Sequence, residues 1–305
     1  MAPEQNFSEQ VRLLVSLLPH IAKQECFALK GGTAINLFLR DMPRLSVDID
    51  LTYLPVADRS SSLAAIDTAL GKIATDIERV VPGCKVQALS LKGTSNRIKL
   101  LAMRGDTAVK VEVTPVLRGC LYPPQKLDVV GRVRDSFGYA RMQVLAFEDL
   151  YAGKICAALD RQHPRDLFDV HILLAEEGIS SALKDAFLVY LLGHNRPMVE
   201  LIDPVLQNIE AAYRAEFAGM MAKAVSLDTL METRLHLVQT LRDLLTEEDK
   251  RFLLAVKRGE ADWSTFTFPE ALYLPAIQWK LLNLTKMTER KRREAADKLE
   301  AALFG

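Results

Sequence analysis

Apolar and polar positions in the first half of the chain follow two different periods. Residues 7–22 and 62–81 carry apolar side chains at helical spacing. Between them, residues 27–40 are typical of a short strand, a glycine turn and a helix, and residues 45–54 alternate apolar and acidic side chains with period two. Further strand patterns follow at residues 85–91, 97–105 and 108–117. The interleaving of strands and helices predicts a mixed sheet flanked by helices.

From Phe147 onward the pattern is almost wholly helical. Amphipathic helices are predicted at residues 235–245 and 249–259, and the segment from Trp263 to Pro275 interrupts them with aromatic residues and prolines. We therefore predict an α+β (α/β) fold in two domains. The mixed sheet and its helices would occupy residues 1–175, and a mainly helical C-terminal domain would occupy residues 176–305.

Composition narrows the range of partners. Lys plus Arg and Asp plus Glu each number 39 among 305 residues, so a nucleic-acid role would need a local basic patch. The N-terminus lacks a signal-peptide pattern, and no run approaches the roughly 18 to 20 apolar residues of a membrane helix. We therefore expect a soluble, cytoplasmic protein with no membrane partner. Wide spacing of the cysteines favours four reduced thiols over a zinc site or a disulfide framework, at Cys26, Cys84, Cys120 and Cys156.

A pair of glycines, Gly31 and Gly32, stands where the first strand turns into a helix. Backbone amides at such a turn can approach a ligand closely, and the helix N-terminus favours an anion. The same pair also suits a tight turn with no ligand. The spaced glycine and the Lys-Ser/Thr of a P-loop are absent. The glycine pair alone does not distinguish a ligand-binding turn from a purely structural one.

Two aspartates stand at alternate positions of the next strand. Asp48 and Asp50 share one face, while Val47, Ile49 and Leu51 share the other. Like charges with Cα atoms about 6.5 to 7 Å apart repel each other, and a bound cation would neutralise them. Oxygen-only ligands favour Mg²⁺ or Mn²⁺ over zinc. The alternative is a solvated acidic strand face with no metal.

The strand predicted at residues 108–117 offers a third carboxylate. Val109, Val111 and Val113 form one face, and Lys110, Glu112 and Thr114 form the other. If this strand lies beside the strand of Asp48, Glu112 completes the ligand set of a two-ion site. Otherwise Glu112 is a surface residue.

A third polar cluster begins at Lys154. Pro164 suits the first position of a helix, which puts Arg165, Asp166 and Asp169 on its first turns. In a functional interpretation Lys154 contacts phosphate, and one of the aspartates orients Lys154, Arg165 or a nucleotide. Acids in a first helical turn also occur simply because they stabilise the helix dipole.

Taken together, these segments resemble a known family. Residues 27–51 are similar to the Gly-Gly/Ser plus Asp-x-Asp signature of the polymerase-beta-like nucleotidyltransferase superfamily. Residues 154–174 resemble the Lys, Arg-Asp-x-x-Asp motif of its AbiEii branch, the toxins of type IV toxin–antitoxin systems, to which the MenT toxins are related. Residues 245–263 and 274–284 resemble the C-terminal segment of that branch, and the motifs occur in the expected order.

The resemblance implies transfer of a nucleoside monophosphate from an NTP to an acceptor by a two-metal mechanism in residues 1–175. In several relatives the acceptor is the 3′ end of a tRNA, and an antitoxin encoded nearby restrains the activity. Phosphate binding would fall to Gly31, Gly32 and Thr33, and Mg²⁺ or Mn²⁺ binding to Asp48, Asp50 and Glu112. The catalytic and nucleotide-binding residues of the second half would be Lys154, Arg165, Asp166 and Asp169.

Two other functions stay open. One is a nucleotidyltransferase that modifies a protein or a small molecule such as an antibiotic, and the other is a non-catalytic NTP-binding regulatory module. Residues 286–298 hold six cations that could contact an RNA backbone. Interleaved acids favour a solvated, salt-bridged helix there instead. Trp279 is predicted to lie in the core.

Overall fold

The computed structural model describes residues 3–305, in which the contacts define two compact units. The first unit runs to Ala146 and includes Ala218–Ala224. The second consists of Phe147–Phe217 and Val225–Gly305. Within the described range, no helix combines the length and the apolar character needed to cross a membrane.

One mixed sheet forms the centre of the first unit, as the sequence predicts. Its seven strands run in the order β3-β4-β5-β2-β1-β7-β6. The pairs β1/β7 and β2/β5 are parallel, and the other neighbouring pairs are antiparallel. The strands are β1 (Phe27–Lys30), β2 (Asp48–Tyr53), β3 (Lys85–Ser90), β4 (Arg97–Arg104), β5 (Thr107–Arg118), β6 (Gln125–Asp128) and β7 (Arg141–Val144).

Two long helices cover one face of this sheet. They belong to the set α1 (Pro3–Ala22), α2 (Gly31–Ala34), α3 (Arg59–Val80) and α4 (Gly131–Phe137). Helix α1 packs on β5 and β7, and α3 packs on β3 and β4. Buried residues recur every three or four positions along α3, and Asp58 caps its N-terminus by accepting a hydrogen bond from the Ser61 amide.

The alternation within β2 and β5 decides which side chains the helices cover. Ile49 and Leu51 of β2 are buried, as are Val109, Val111 and Val113 of β5. Because neighbouring residues of a strand point to opposite faces, Asp48, Asp50 and Glu112 lie on the other face of the sheet. The polar face of β2 and β5 is therefore the one left for chemistry.

The second unit is helical. Its helices are α5 (Phe147–Asp160), α6 (Pro164–Glu176), α7 (Ser181–Gly193), α8 (Met198–Ile202), α9 (Glu210–Glu216), α10 (Leu227–Leu244), α11 (Glu247–Arg258), α12 (Pro275–Thr285) and α13 (Glu289–Phe304). Helix α5 contacts α6, α7 and α8, and α10 packs on α6. The predicted interruption is present as two 3₁₀ turns, at Trp263–Thr265 and Pro269–Tyr273. The division of the chain into domains at residue 175 stays a prediction, and in their contacts α5 and α6 group with the helices that follow.

Candidate functional site

The glycine turn lies directly against an aspartate and an arginine. Strand β1 ends at Lys30, and Gly31 begins α2 with a φ of +72°. A Cβ added at Gly31 would stand 2.8 Å from Asp50 Oδ2, and one added at Gly32 would stand 2.7 Å from the Arg44 guanidinium. Both separations are too short for a real Cβ. The left-handed backbone favours glycine at the first position, and a Cβ at either position would force the neighbouring Asp50 or Arg44 side chain to shift.

Thr33 ties this turn to the start of β2. Its hydroxyl donates to the carbonyl oxygen of Asp48 and lies 2.9 Å from Ser46 Oγ. The side chain of Thr33 is buried, so its hydroxyl serves the chain itself. The turn and the acidic strand are thus held together by side-chain hydrogen bonds as well as by the pairing of β1 with β2.

A row of four charged residues, two acids between two lysines, crosses four neighbouring strands. Lys30 of β1 pairs in register with Asp50 of β2, which pairs with Glu112 of β5, which pairs with Lys99 of β4. Strand β5 therefore lies beside β2, the arrangement on which the assignment of Glu112 depends. Residues directly opposite each other on adjacent strands have Cβ atoms only about 4.5 to 5.5 Å apart, so these charges interact strongly.

The pKa of Asp50 is raised, chiefly by burial and further by the like charges of Asp48 and Glu112, while Lys30 opposes the shift. Burial likewise lowers the pKa of Lys30, against the pull of Asp50 and Glu112. The ammonium of Lys30 donates to Thr114 Oγ1 at 3.1 Å. Part of Asp50 nevertheless stays accessible to solvent. A cation bound at this aspartate would favour its ionised form and relieve the repulsion among the acids.

Glu112 already has two lysine partners. Its Oε1 lies 2.8 Å from the Lys99 ammonium, and its Oε2 lies 3.2 Å from that of Lys110. Burial alone would raise the pKa of Glu112, but the two lysines outweigh it and lower the pKa. Among residues 7–305, whose side chains the structure describes, no three His, Cys, Asp or Glu side chains are grouped so as to hold a metal ion. The assignment of Glu112 as a third ligand stays a prediction.

The donors on β2 nevertheless fit a hard divalent cation. Asp48 and Asp50 offer oxygen atoms only, from one face of one strand, which suits Mg²⁺ or Mn²⁺. The environment of Asp50 is the second observation in favour: burial, and then the like charges of Asp48 and Glu112, raise its pKa, so a bound cation would stabilise its ionised form. These residues can hold a metal beside an amide-lined glycine turn.

The predicted cluster of the second unit is a buried ion-pair network. The Lys154 ammonium lies 2.8 Å from Asp166 Oδ1 and 2.9 Å from Asp169 Oδ2, with the three side chains 5%, 2% and 1% exposed. Arg161 adds two hydrogen bonds to Asp166, at 2.5 and 3.0 Å. Burial alone would raise the pKa of Asp166, but Lys154 and Arg161 outweigh it and hold the pKa well below its usual range. The structure thus joins three of the four predicted residues of this motif.

The fourth, Arg165, lies partly exposed on the first turn of α6. The predicted helix start is confirmed, since Pro164 opens α6. His163 caps it, because Nδ1 of His163 accepts the Arg165 amide at 3.1 Å. The structure therefore assigns His163 a capping role and leaves the Arg165 side chain on the surface of the helix.

Sequence reasoning missed four cations of these clusters, namely Lys30, Arg44, Lys99 and Arg161. Two had a signal. Lys30 immediately precedes the glycine pair at the end of a strand, and Lys99 falls on the polar positions of a predicted strand. Arg44 lies in a segment with no periodic pattern, so the sequence offered no reason to place it behind Gly32.

Similarity to solved structures supports the fold. MenT4, the nucleotidyltransferase toxin Rv2826c from Mycobacterium tuberculosis H37Rv, is 16% identical, with 99% of this chain and 95% of MenT4 covered at a TM-score of 0.63. Terminal uridylyl transferase 4 from Trypanosoma brucei, solved with bound UPU, is 12% identical over 96% of this chain and 93% of its own, at a TM-score of 0.27. That second value is too low to support an argument. The first shows that this chain shares the fold of MenT4.

Sequence comparison relates the chain to a protein family. No curated protein matches the chain significantly. The family model described as "Nucleotidyl transferase AbiEii toxin, Type IV TA system" matches residues 12–279, which is most of the chain and includes both charged clusters. The chain therefore belongs to the AbiEii family of nucleotidyltransferase toxins of type IV toxin–antitoxin systems.

Proposed function

We propose that this protein transfers a nucleoside monophosphate from an NTP to an RNA, with the 3′ end of a tRNA as the acceptor, by a mechanism that requires Mg²⁺ or Mn²⁺. Membership of a nucleotidyltransferase toxin family implies an NTP substrate and an antitoxin. The observation that carries the proposal is the close approach of the glycine turn to Asp50, which a single Cβ at Gly31 would obstruct. Phosphate and metal sites would thereby adjoin each other.

In this proposal the backbone of the turn binds the triphosphate. The amides of Gly31, Gly32 and Thr33 are the donors, because the Thr33 hydroxyl is already engaged by Asp48 and Ser46. Asp48 and Asp50 would hold the divalent ion, with Glu112 as the candidate third ligand. A bound divalent ion supplies activation of the attacking hydroxyl and stabilisation of charge on the triphosphate.

Lysines beside the acids would balance the remaining charge. The pKa of Lys110 is raised, because Asp48, Glu112 and Asp50 together outweigh the effect of burial. Lys110 therefore stays protonated near neutral pH and can stabilise negative charge that develops on the leaving pyrophosphate. Lys30 keeps its position through Thr114.

For the second motif we propose that Lys154 binds phosphate and that Asp166 and Asp169 orient its ammonium. Both carboxylates are buried, and a lysine fixed by two acids loses little rotamer entropy when it engages an anion. Arg165, on the exposed side of the first turn, is proposed as a further nucleotide contact.

The test is transfer from each α-labelled NTP to total cellular RNA, with and without Mg²⁺. We expect Mg²⁺-dependent label in RNA, abolished in Asp50→Asn and retained in Asp106→Asn, a matched change at an exposed aspartate of the same unit. Label only in protein or in a small molecule would contradict the RNA acceptor. NTP binding without transfer would indicate a regulatory module.

The position of transfer needs a separate test. Periodate destroys the vicinal hydroxyls of a terminal ribose, so periodate-treated tRNA should no longer accept label if the 3′ end is the acceptor. Undiminished labelling would place the modification elsewhere on the RNA. Co-expression with the product of the neighbouring reading frame should relieve toxicity if that frame encodes the antitoxin.

A further inference from the structure

Helix α12 exposes a tryptophan that the sequence predicts to be in the core. The buried side of α12 consists of Ala276, Ile277 and Leu284. Ala276 packs so closely on α7 that its Cβ would lie 3.0 Å from a Cβ added at Gly193. These small and aliphatic residues bring the two helices together, and the indole of Trp279 is left on the other side, 49% exposed.

Trp279 belongs to a larger exposed group, here called the α12 surface, formed by Trp279, Leu282 and Lys286, whose spacing of three and four residues puts them on one side of the helix. The Lys286 ammonium lies 5.8 Å from the centroid of the Trp279 ring. Tyr273 ends the 3₁₀ turn before α12, and the Gln278 side chain donates to the Leu272 carbonyl at 2.6 Å, which fixes that turn to the helix. Trp279 and Leu282 together expose a tryptophan and a leucine on one side of the helix, an apolar patch of the kind found at interaction sites.

The chain around this surface is strongly basic. Residues 273–293 contain one acid, Glu289, and six cations, so their net charge is +5 in a chain whose total is zero. The cations are Lys280, Lys286, Arg290, Lys291, Arg292 and Arg293. Glu289 pairs with Arg293 at 2.9 Å, while the pair between Arg290 and Glu294 is long, at 3.7 Å, and exposed. This segment of the sequence is therefore locally basic in a chain whose overall charge is zero.

Aromatic rings beside cations favour one class of occupant. Single-stranded nucleic acid presents unpaired bases that stack on aromatic side chains and phosphates that bind Lys and Arg. A duplex keeps its bases stacked inside, so it would leave the indole unused. The core of a protein interface is depleted of charged residues, whereas this surface carries a lysine over its central ring.

We propose that the α12 surface binds single-stranded RNA, with a base stacked on Trp279 and the adjoining phosphates at Lys286 and Arg290. The inference rests on the proposed function in that the RNA would be the acceptor of nucleotidyl transfer. It adds a binding surface in the helical unit that neither charged cluster includes.

Trp279 itself can report the binding. The other tryptophan, Trp263, packs against Phe252 and Phe266, so Trp263→Phe keeps an aromatic ring there and leaves Trp279 as the sole indole. This variant is titrated, without NTP, with a single-stranded oligoribonucleotide whose 3′ end is blocked by phosphate. We expect saturable quenching of the fluorescence and an affinity that falls as salt rises. Absence of any fluorescence change at saturating RNA would overturn the stacking proposal.

Substitutions in the full-length chain complete the test, with affinity measured by anisotropy of the labelled oligonucleotide. Trp279→Leu should weaken binding about tenfold, and Trp279→Phe should retain most of the affinity. Lys286→Gln should reduce the slope of log affinity against log salt by about 0.7, whereas Lys298→Gln, farther along α13, should leave it unchanged. Equal affinity of Trp279→Leu and the wild type would contradict the proposal. So would a fluorescence change that depends on protein concentration alone, which would assign the surface to a second copy of the chain.

The two proposals can fail separately. If the oligonucleotide quenches Trp279 but no NTP labels any RNA, the binding surface stands and the transferase assignment to RNA fails. If Trp279→Leu labels RNA with an unchanged KM for the acceptor, transfer to RNA stands and the α12 surface is not where the acceptor binds.

Discussion

Replacing Lys154 with methionine should destabilise the helical unit strongly. Methionine keeps the length of the side chain but removes the cation shared by Asp166 and Asp169, at 2.8 and 2.9 Å. Removing one partner of a buried ion pair costs about 3 to 5 kcal/mol, because the remaining charge stays buried without compensation. Arg161 continues to bind Asp166, so we expect the lower end, about 3 kcal/mol.

The measurement is urea unfolding followed by circular dichroism. At typical denaturant sensitivities the loss corresponds to a midpoint lowered by about 1 M or more. Because the chain forms two compact units, the transition assigned to the helices must be fitted separately if two transitions are seen. Arg161→Met is the matched control. Its side chain is 64% exposed, so its loss should cost no more than about 1 kcal/mol.

The pH dependence of this loss of stability tests whether it comes from the ion pairs of Lys154. The pKa of Asp166 is lowered in the folded protein, so its ion pairs contribute stability above the unfolded carboxyl pKa of about 3.9, and this contribution is lost as pH falls below it. Without Lys154, the effect of burial is less opposed and the Asp166 pKa rises. The deficit of the variant should therefore be largest near pH 7 and shrink toward pH 4. A Lys154→Met variant as stable as the wild type, or a loss of stability independent of pH, would show that the Lys154 ion pairs do not stabilise the helical unit.

Three further predictions concern the first unit. Gly31→Ala should lower stability in thermal unfolding by more than Gly83→Ala does. Both glycines have positive φ, where an alanine side chain costs about 1 kcal/mol. Only at Gly31 would the added Cβ also meet a side chain, at 2.8 Å from Asp50 Oδ2. Equal losses of stability in the two variants would mean that the turn or the Asp50 side chain shifts to accommodate the added methyl group. Asp50→Asn should leave the stability of the apo protein unchanged or slightly raised, while the rate of nucleotidyl transfer falls by about 100-fold or more. Addition of Mg²⁺ with NTP should raise the Tm of this variant less than the Tm of the wild type. Wild-type turnover would remove Asp50 from the site. Glu112→Gln should raise the Mg²⁺ concentration needed for half-maximal transfer if Glu112 is a ligand, and an unchanged Mg²⁺ dependence would return it to its pairing with Lys99 and Lys110.

Local periodicity predicted the long elements well and the short ones poorly. Helices α1 and α3 and strands β2 to β5 coincide with predicted patterns, because each is long enough for its apolar face to repeat several times. Strands β6 and β7 and helix α4 were not predicted. Each of these two strands has four residues, too few to distinguish period two from chance. The helix expected after the glycine pair is also irregular, since α2 passes into a π-helical turn at Ile35–Leu39.

Relations within one strand were predictable, and relations between strands were not. The shared face of Asp48 and Asp50 follows from the pleat of β2 alone. The register of Asp50 with Glu112 depends instead on a parallel pairing of β2 with β5, between which α3, β3 and β4 intervene in the chain. No local pattern in the sequence indicates that β2 and β5 are neighbours. The role of Glu112 could therefore be predicted from the sequence only on the assumption that they are. The same applies to Lys99, which reaches Glu112 through the pairing of β4 with β5.

The two acidic motifs look alike in sequence, because each is a pair of aspartates near a cation. The pKa shifts of their aspartates, however, have opposite directions. The pKa of Asp50 is raised by burial and by neighbouring acids, so an added divalent cation would lower the free energy of its ionised form. The pKa of Asp166 is already held low by Lys154 and Arg161, so a further cation would gain little there and would have to displace a buried lysine. The cations in contact with each carboxylate decide this difference, because burial raises the pKa of both aspartates. Spacing along a sequence does not show which cations reach a carboxylate. Divalent ions should therefore bind at Asp48 and Asp50 of β2. The network of α5 and α6 should instead contribute the Lys154 ammonium as a contact for phosphate.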